Sequence, residues 1–438
     1  MKVLKFGGSS LADSKQFIKV KDIVTEDMDR KYIVVSAPGK GINNKHKITD
    51  LLLMCYELAS HGLNFKEIFE LIENTFFQIV KDLNLDLDLK SILNEIFIDI
   101  QNGASRDFTA SRGEYLNAIL LSNYLGWNFV DASEIIFFRD GEIDTNKTEE
   151  KIEETLKNLE FSVIPGFYGT DENSNIKTFS RGGSDITGSL LANALKAKIY
   201  ENWTDVSGFL IADPKIVPTS KTIDYITYKE LRELSYMGAP VLHEDAIFPV
   251  KKHKIPINIK NTNYPKDKGT TIIPNYDNEH VANNITGIAG KLGFSAITIE
   301  KTFMNSELGF FRKIMSVLET NEIPIEHMPS SIDSVSLIVD TGKIANKINK
   351  VIEEIKIYTN PDYINVEHGI ALIAIVGNGM VNKKGTSAKV FSALGDNNIN
   401  IRMISQGSSE LNIIVGVAES DFEKSIKSIY EIFNWGVI

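Results

Sequence analysis

Residues Gly309–Val339 align with Gly385–Val415 at a constant offset of 76 residues and without a gap. Ile314 falls on Val390, Ser316 on Ser392, Leu318 on Leu394 and Asn321 on Asn397; Ile323, Ile325 and Met328 fall on Ile399, Ile401 and Ile404. Each copy reads as a helix, a tight Asn turn, an alternating strand, a polar turn and a second alternating strand, the last being Ser334–Val339 and Leu411–Val417. A chain that repeats a supersecondary unit must build one small fold twice, because each copy has the same apolar face to bury. With a flanking strand and helix each unit becomes β-α-β-β-α-β, so two ferredoxin-like domains are expected. Chance likeness of two amphipathic stretches would not extend through helix, turn and both strands.

The chain has 438 residues, room for roughly three domains. Ahead of the repeat the pattern alternates. Val3–Phe6 is a short apolar run, Gly7-Gly8 breaks it, and Ser9-Ser10 can cap a helix in which Phe17, Val20, Ile23 and Val24 recur at helical spacing. Tyr32–Val35 reads as a buried strand stopped by Ser36-Ala-Pro-Gly39. Thr49–Ser60 is helical in pattern, and residues 65–101 carry spaced apolar residues with no Gly or Pro, which predicts helices there. Strand-like runs return at Asn128–Val130, Phe161–Ile164 and Lys198–Tyr200. Such alternation predicts α/β layers around a mainly parallel sheet. Pro256, Pro265, Gly269 and Pro274 predict a closing hairpin and a linker, with the composition changing near residue 283.

Lys and Arg number 47 against 58 Asp and Glu, a net charge of −11. That excludes a general nucleic-acid binder, which needs a basic face. It does not exclude phosphate ligands, because a few N–H groups and one Lys suffice. Cys55 is the only cysteine, so no internal disulfide is available. The N-terminal sequence lacks the apolar core of a signal peptide, and no apolar run reaches membrane-spanning length. A soluble cytoplasmic protein with neither a nucleic-acid nor a membrane partner is expected.

Walker A, G-x-G-x-x-G and H-E-x-x-H patterns are all missing, and so are paired C-x-x-C motifs. Lys5-Phe-Gly-Gly-Ser-Ser10 ends a strand and opens a helix. Two glycines let a backbone approach an anion, and a lysine adds a point charge; a plain turn with a solvated lysine is the bland alternative. Phe179-Ser-Arg-Gly-Gly-Ser-Asp185 precedes an apolar-periodic helix, Ile186, Leu190, Leu191 and Ala194. It gathers Arg181 and Asp185 at an electropositive helix N-terminus suited to carboxylate or phosphate. Helix capping would explain Asp185 but not the adjacent Arg-Gly-Gly. Trp203-Thr-Asp-Val-Ser-Gly208 and Asp213-Pro-Lys215 follow another strand, where open α/β sheets bind ligands. In Ser111-Arg-Gly-Glu114, Glu114 is either a first-turn dipole partner or a ligand for an amino group.

These motifs in this order resemble the aspartokinase family of the amino acid kinase superfamily. The resemblance spans the chain and includes Gly166-Phe-Tyr-Gly169 and Gly238-Ala-Pro-Val-Leu-His243 before the repeat. It implies an amino acid kinase-like α/β/α sandwich over residues 1–283, with a mainly parallel central sheet. Two ferredoxin-like (βαββαβ) ACT domains would follow, at 284–366 and at 367–438, the second also serving dimerisation. The implied reaction passes the γ-phosphate of ATP, with Mg²⁺ carried by the nucleotide and no metal site of the protein's own, to the β-carboxylate of L-aspartate. By the same resemblance Lys5 and the Gly7 and Gly8 amides hold the phosphate and Asp185 orders the site. Ser36, Thr49, Glu114, Phe167 and Arg181 receive aspartate, with Glu114 on its amino group. Phe6, Thr204, Asp205, Leu210, Lys215 and Asn263 stand on the nucleotide side. There Leu210 replaces the Tyr of some members and Lys215 the Arg of many. The ACT repeats imply an amino-acid effector, lysine first and threonine second. Its expected pocket is formed by Met304, Ser306, Gly309, Phe310 and Phe311 with Ser331 and Asp333; core packing is an equal reading of Phe310 and Phe311. A homodimer through the ACT domains, or a tetramer, is implied. The competing expectations are an inactive amino-acid sensor and a kinase of another acyl group such as glutamate or acetylglutamate. Lys5, Glu114, Arg181 and Asp185 count against the first and the tandem repeat against the second.

Overall fold

The computed structural model describes residues 1–41, 46–180, 182–239, 244–277, 284–381 and 383–433. It divides into two compact units. The first holds Met1–Phe209, Thr222–Tyr228 and Leu242–Asp277, and the second holds Leu210–Lys221, Lys229–Val241 and Asn278–Ile438.

The first unit is built on eight strands: β1 (Lys2–Phe6), β2 (Arg30–Val35), β3 (Asn128–Phe129), β4 (Ser162–Pro165), β5 (Ile199–Thr204), β6 (Tyr225–Thr227), β7 (Ile257–Asn261) and β8 (Thr270–Ile273). Their order is β6-β8-β7-β5-β1-β2-β4-β3. The pairs from β7 to β3 are parallel, whereas β8 returns antiparallel on β7 as the expected hairpin. Lys5 lies opposite Val34 and Asn202, and Phe6 opposite Val35 and Trp203. The carboxyl ends of β1, β2, β4, β5 and β7 are thereby drawn to one edge.

Helices cover both faces. Leu4, Phe6, Ile33, Val35, Val163 and Trp203 turn one face of the sheet toward the helices α1 (Ser14–Glu26), α2 (Ile48–Ser60), α3 (Lys66–Leu83), α4 (Leu89–Gln101) and α5 (Arg106–Leu125), in one continuous core. Each such side chain contributes about 1.5–3 kcal/mol by leaving water. The alternate residues, Lys5 and Asn202 among them, face α7 (Gly183–Ala194), which α6 (Thr145–Leu156) and α9 (Glu244–Lys252) flank. The helical stretch expected over 65–101 is two helices, because Asn84 takes the left-handed conformation (φ 50°) and Asp88 caps the second through the Ser91 N–H. One detail differs from expectation. Gly8–Leu11 is a single 3₁₀ turn, and α1 begins at Ser14 with Asp13, not Ser9 or Ser10, as its side-chain cap.

In the second unit five strands form an antiparallel sheet: β9 (Gly287–Glu300), β10 (Ser334–Asp340), β11 (Tyr363–Val376), β12 (Ile401–Ser405) and β13 (Asn412–Ala418), in the order β10-β9-β11-β13-β12. Helices α10 (Phe310–Thr320), α11 (Ile348–Thr359), α12 (Thr386–Asp396) and α13 (Phe422–Ile432) accompany them, and α8 (Tyr228–Tyr236) precedes α9 in the chain. The 76-residue correspondence holds at atomic detail. Gly309 and Gly385 cap α10 and α12 with φ of 81° and 89°, a conformation that favours glycine. Asn321 and Asn397 close the same helices by donating from their side-chain amides to Val317 and Ala393 carbonyls, at 2.8 and 2.9 Å.

The repeats are not two separate beads. The second half of β9 pairs with β10 and with the first half of β11, which belongs to repeat one. The first half of β9, Gly287–Lys291, pairs with Leu372–Val376, which in turn pair with β13. The strand completing the second repeat thus precedes the first in sequence. The geometry requires it, since the edge beside Leu372–Val376 is already filled.

Gly290 sits at this shared strand, where an added Cβ would lie 2.6 Å from the Phe422 ring and 2.8 Å from the Leu372 carbonyl oxygen. Gly290→Val should destabilise the second unit by about 1–3 kcal/mol through overpacking. Amide exchange is expected to accelerate at 372–376 and 412–417 and to remain slow at 335–339.

Candidate active site

Lys5, next to the end of β1, holds its Nζ 2.7 Å from Asp185 Oδ1, and both side chains are largely buried. The same oxygen accepts from Asn202 Nδ2 at 2.9 Å. Tyr200 donates its hydroxyl to the Asp185 carbonyl at 3.2 Å. Asp185 is therefore not the side-chain cap of α7; Gly182, at φ 60°, starts that helix without one. Its carboxylate instead pins an ammonium at the strand end. A hydrogen-bonded ion pair out of bulk water holds one geometry far better than a solvated lysine does.

The turns after β1 and β2 interlock. Gly39 donates to the Gly8 carbonyl at 2.8 Å, and Gly7 to that of Trp203 at 2.9 Å. A Cβ on Gly8 would come within 2.7 Å of the Ala37 oxygen, so glycine there is a packing requirement. Between these turns and α5 lies a cavity of about 450 Å³ lined by Gly8, Ser36, Gly39, Thr49, Glu114 and Asp205, with Lys40 and Lys47. Glu114 is fully enclosed. Burial pushes its carboxyl up to about 8, against smaller opposing effects of the Ala37 N–H and Arg112. Its Oε2 has no hydrogen-bond partner among the described residues. One turn on, Asn117 donates to the Ser36 carbonyl at 2.7 Å and fixes that loop.

A larger cavity of about 1010 Å³ shares Thr49 and is lined by Phe167, Phe179, Ser180 and Ile186. Phe167 is held at φ 79°, an uncommon conformation for a bulky residue and a mark of imposed geometry. Its N–H donates to Thr187 Oγ1 at 3.2 Å, and a Cβ on Gly183 would strike it at 2.7 Å.

On the other side of β1, Thr204 and the exposed Asp205 end β5, and Asn261 Nδ2 donates to the Asp205 carbonyl at 3.2 Å. Phe6 is buried against Trp203 at 5.9 Å between ring centroids, so it can offer a ligand its backbone only. Asn263 is exposed and accepts from Lys19 at 2.7 Å and Gln16 at 3.1 Å. Leu210 and Lys215, both exposed, belong to the second unit. Arg181 and His243 lie outside the described residues.

The structure thus groups Lys5 with Asp185, and Gly8, Ser36, Thr49 and Glu114 with Asp205; it places Phe167 in the adjoining cavity. Asn202, Asn117, Lys40 and Lys47 were not expected. Two of them carried a signal: Asn202 stands beside Glu201 in a buried strand, two adjacent polar side chains of which one must face the other side of the sheet, and Asn117 sits three residues after Glu114 on a largely buried helix. Among the described residues no group of three or more His, Cys, Asp or Glu side chains forms a metal site, and no helix is long and apolar enough to cross a membrane.

In the second unit Met304 and Phe310 are core residues, packed with Ile314, Leu318 and Val335. Phe311 is partly exposed and meets the Phe310 ring edge-on at 6.0 Å. Ser306, Gly309, Ser331 and Asp333 are exposed. Asp333 Oδ1 accepts from the Phe303 N–H at 2.9 Å, tying the two expected pocket segments together. Beside them Glu307 is bracketed by Lys301 and Lys313, whose hydrogen bonds hold its carboxyl below the usual range.

The amino acid kinase family profile matches residues 1–261, and an ACT domain profile matches 373–433. Aspartokinase 3 of Bacillus subtilis is 38% identical over 454 aligned positions, covering all of both chains. The crystal structure of Clostridium acetobutylicum aspartate kinase superposes with a TM-score of 0.93 at 54% identity, covering 99% of this chain and 100% of that one. Escherichia coli aspartokinase III, solved with aspartate and ADP, gives 0.72 at 26% identity over 99% of each chain. The same enzyme with lysine and aspartate gives 0.73 at 27%, over 99% of this chain and 100% of that one.

The buried Glu114 makes a sign-definite prediction. Its folded value is raised above the ordinary 4.5, so the folded state keeps a proton that the unfolded chain has lost. Its contribution is nil below about 4.5, turns progressively destabilising as pH rises, and is fully unfavourable above about 8. Glu114→Gln should raise the melting temperature by roughly 2–4 °C at pH 8.5, and by less at pH 5. Thermal melts across that pH range measure it, and a pH-independent difference would contradict it.

Proposed function

We propose how this chain, which belongs to the aspartokinase family, uses its own residues for that family's reaction: transfer of the γ-phosphoryl group of ATP to the β-carboxylate of L-aspartate. The observation that carries the reading is the Lys5–Asp185–Asn202 arrangement at the carboxyl end of the sheet. Lys5, with the Gly7 and Gly8 amides, takes the transferring phosphoryl group. Asp185 aims Lys5 and is itself aimed by Asn202. Mg²⁺ carried by ATP would supply further neutralisation of phosphate charge, beside Lys5 and the Gly7 and Gly8 amides. The acceptor is a carboxylate, ionised at neutral pH, so no general base is needed. Catalysis is then positioning plus stabilisation of charge.

Aspartate would lie against Ser36, Thr49 and Phe167, with Arg181 gripping a carboxylate. Glu114 receives the α-ammonium: a buried acid lacking a cation gains one, and it loses its proton in exchange. The nucleotide would lie on the Thr204, Asp205 and Asn263 side, with Phe6 backbone, Leu210 and Lys215. The catalytic part would span 1–283 and the ACT repeats 284–366 and 367–438, the repeats pairing two copies in the assembly. An amino acid would bind where Ser306, Gly309 and Phe311 meet Ser331 and Asp333, with Met304 and Phe310 as the packed floor. Lysine is favoured, supported by the lysine complex of the Escherichia coli enzyme, and threonine is second.

Lys5→Ala should lower kcat by roughly 10²–10³-fold and change the KM for aspartate little, as expected for a group acting mainly in the transition state. A near-normal kcat in steady-state ADP release would remove Lys5 from this role. Titrating the same assay with lysine should give inhibition, which Asp333→Ala should weaken. Inhibition by threonine alone would transfer the assignment, and inhibition by neither would end it.

A further inference from the structure

One helix of the first unit bears on both cavities that share Thr49. On one side α5 holds the turn after β2. Asn117 donates to the Ser36 carbonyl, Glu114 accepts from the Ala37 N–H, and a Cβ on Gly113 would come within 2.7 Å of the Ala37 methyl. On the other side it holds the hairpin that follows Phe167, in which Tyr168 pairs with Thr178 and Thr170 with Ile176. Asp107, in the first turn of α5, accepts from Thr178 Oγ1 at 2.7 Å. Further along the helix Arg112 meets Tyr168.

Arg112 is buried. Among the described residues its hydrogen bonds stay within α5 and reach no carboxylate: Nε donates to the Phe108 carbonyl at 3.3 Å and to Ser111 Oγ at 3.1 Å, and Nη2 to Ser111 Oγ at 2.8 Å. The guanidinium lies among three rings, 4.3 Å from the centroid of Phe108, 4.4 Å from that of Tyr115 and 5.5 Å from that of Tyr168. At such distances the negative face of a ring attracts a cation. Filling space alone would not call for arginine, since a buried charge without a carboxylate is costly and an apolar side chain packs as well. Tyr168 is the ring that leads to the site. It is fully buried, its hydroxyl donates to Asp131 Oδ1 at 2.9 Å, and Phe167 precedes it in the chain. Phe167, at φ 79°, is fixed from its other side by Thr187, and its carbonyl accepts from the Phe179 N–H at 3.0 Å. A disfavoured backbone conformation persists only where its surroundings over-determine it.

We propose that Arg112 is a positioning residue for the phosphoryl acceptor. By holding Tyr168 it keeps Phe167 in its left-handed conformation, and α5 thereby sets the separation of Phe167 from its own Glu114. The proposal rests on the reading that Phe167 and Glu114 receive aspartate.

The test is steady-state kinetics of the full-length enzyme. Phe167→Ala is the reference for the contact with aspartate and should raise the KM for aspartate. Arg112→Leu removes the cation and keeps an apolar filling; Tyr168→Phe keeps the ring and removes only the hydroxyl. Each of these two should raise the KM for aspartate about 3–10-fold, as for the loss of one cation–ring contact or one hydrogen bond, while the KM for ATP stays within about twofold. Added to Phe167→Ala, neither should raise the KM for aspartate further, because residues acting through one another are not additive. A merely structural role would lower apparent kcat through loss of folded enzyme, which circular-dichroism melts report, and would leave both KM values in place. If Phe167→Ala leaves the KM for aspartate unchanged, the aspartate reading of Phe167 falls and the proposal falls with it. If Phe167→Ala raises it but Arg112→Leu and Tyr168→Phe do not, or if their effects multiply with that of Phe167→Ala, the positioning role of Arg112 alone is overturned. Should Arg112→Leu yield no folded enzyme, Tyr168→Phe decides by the same comparisons.

Discussion

The parallel register of β1 against β2 and β5 is the constraint on which the rest of the first unit depends. It sets Lys5 beside Asn202 and sends both to the face that carries α7. Every neighbouring strand then ends at the same edge, so the turns after Phe6, Val35, Pro165 and Trp203 meet there without further instruction. A shift of one residue in β1 would turn Lys5 into the apolar helical face and Leu4 or Phe6 toward Asp185, because strand side chains alternate. The site's position is thus fixed by the same burial of Leu4, Phe6, Ile33 and Val35 that stabilises the sheet.

Polar groups in such an interior are expensive unless each finds a partner. Asp185 meets that condition with Lys5 and Asn202, and Asn117 partly does so with the Ser36 carbonyl. Glu114 does not: burial raises its carboxyl to about 8, and one of its oxygens has no partner among the described residues. The contrast separates two uses of a buried acid. One is spent within the protein on aiming a lysine, and the other is held back for an arriving cation.

Much of this was legible in the residues. The repeat was readable because helix, Asn turn and strands are local features, and Gly309, Gly385, Asn321 and Asn397 now prove to do equivalent work. The motif lysine and aspartate could be named, but their pairing could not, since it depends on register across a sheet joining residue 5 to residue 202. The capping alternative for Asp185 was a sound local inference that a long-range ion pair overrode. Asn202 and Asn117 escaped notice because a buried polar residue among other polar residues of its element is as often a satisfied core group as a functional one. The helix start at Ser14 was misplaced for a purely local reason: Asp13 is the better cap and lies only three residues beyond Ser10.

The origin of the second repeat's edge strand was beyond any local pattern, because β9 reads as one strand in sequence and serves two neighbours in space. The consequence is mechanical. β9 and β11 each run through both repeats, and their ladder shifts register between Lys291 and Phe294, where Gly293 takes φ 89°, and again between Phe294 and Ala296. A change that tilts β10 or α10 in the first repeat must move the second half of β9, and the continuous strand carries the displacement to Gly287–Lys291 in the second. Packed sheets rearrange between discrete arrangements rather than bend freely. Two repeats sharing both central strands are therefore expected to change state together, which separate domains on a linker would not do.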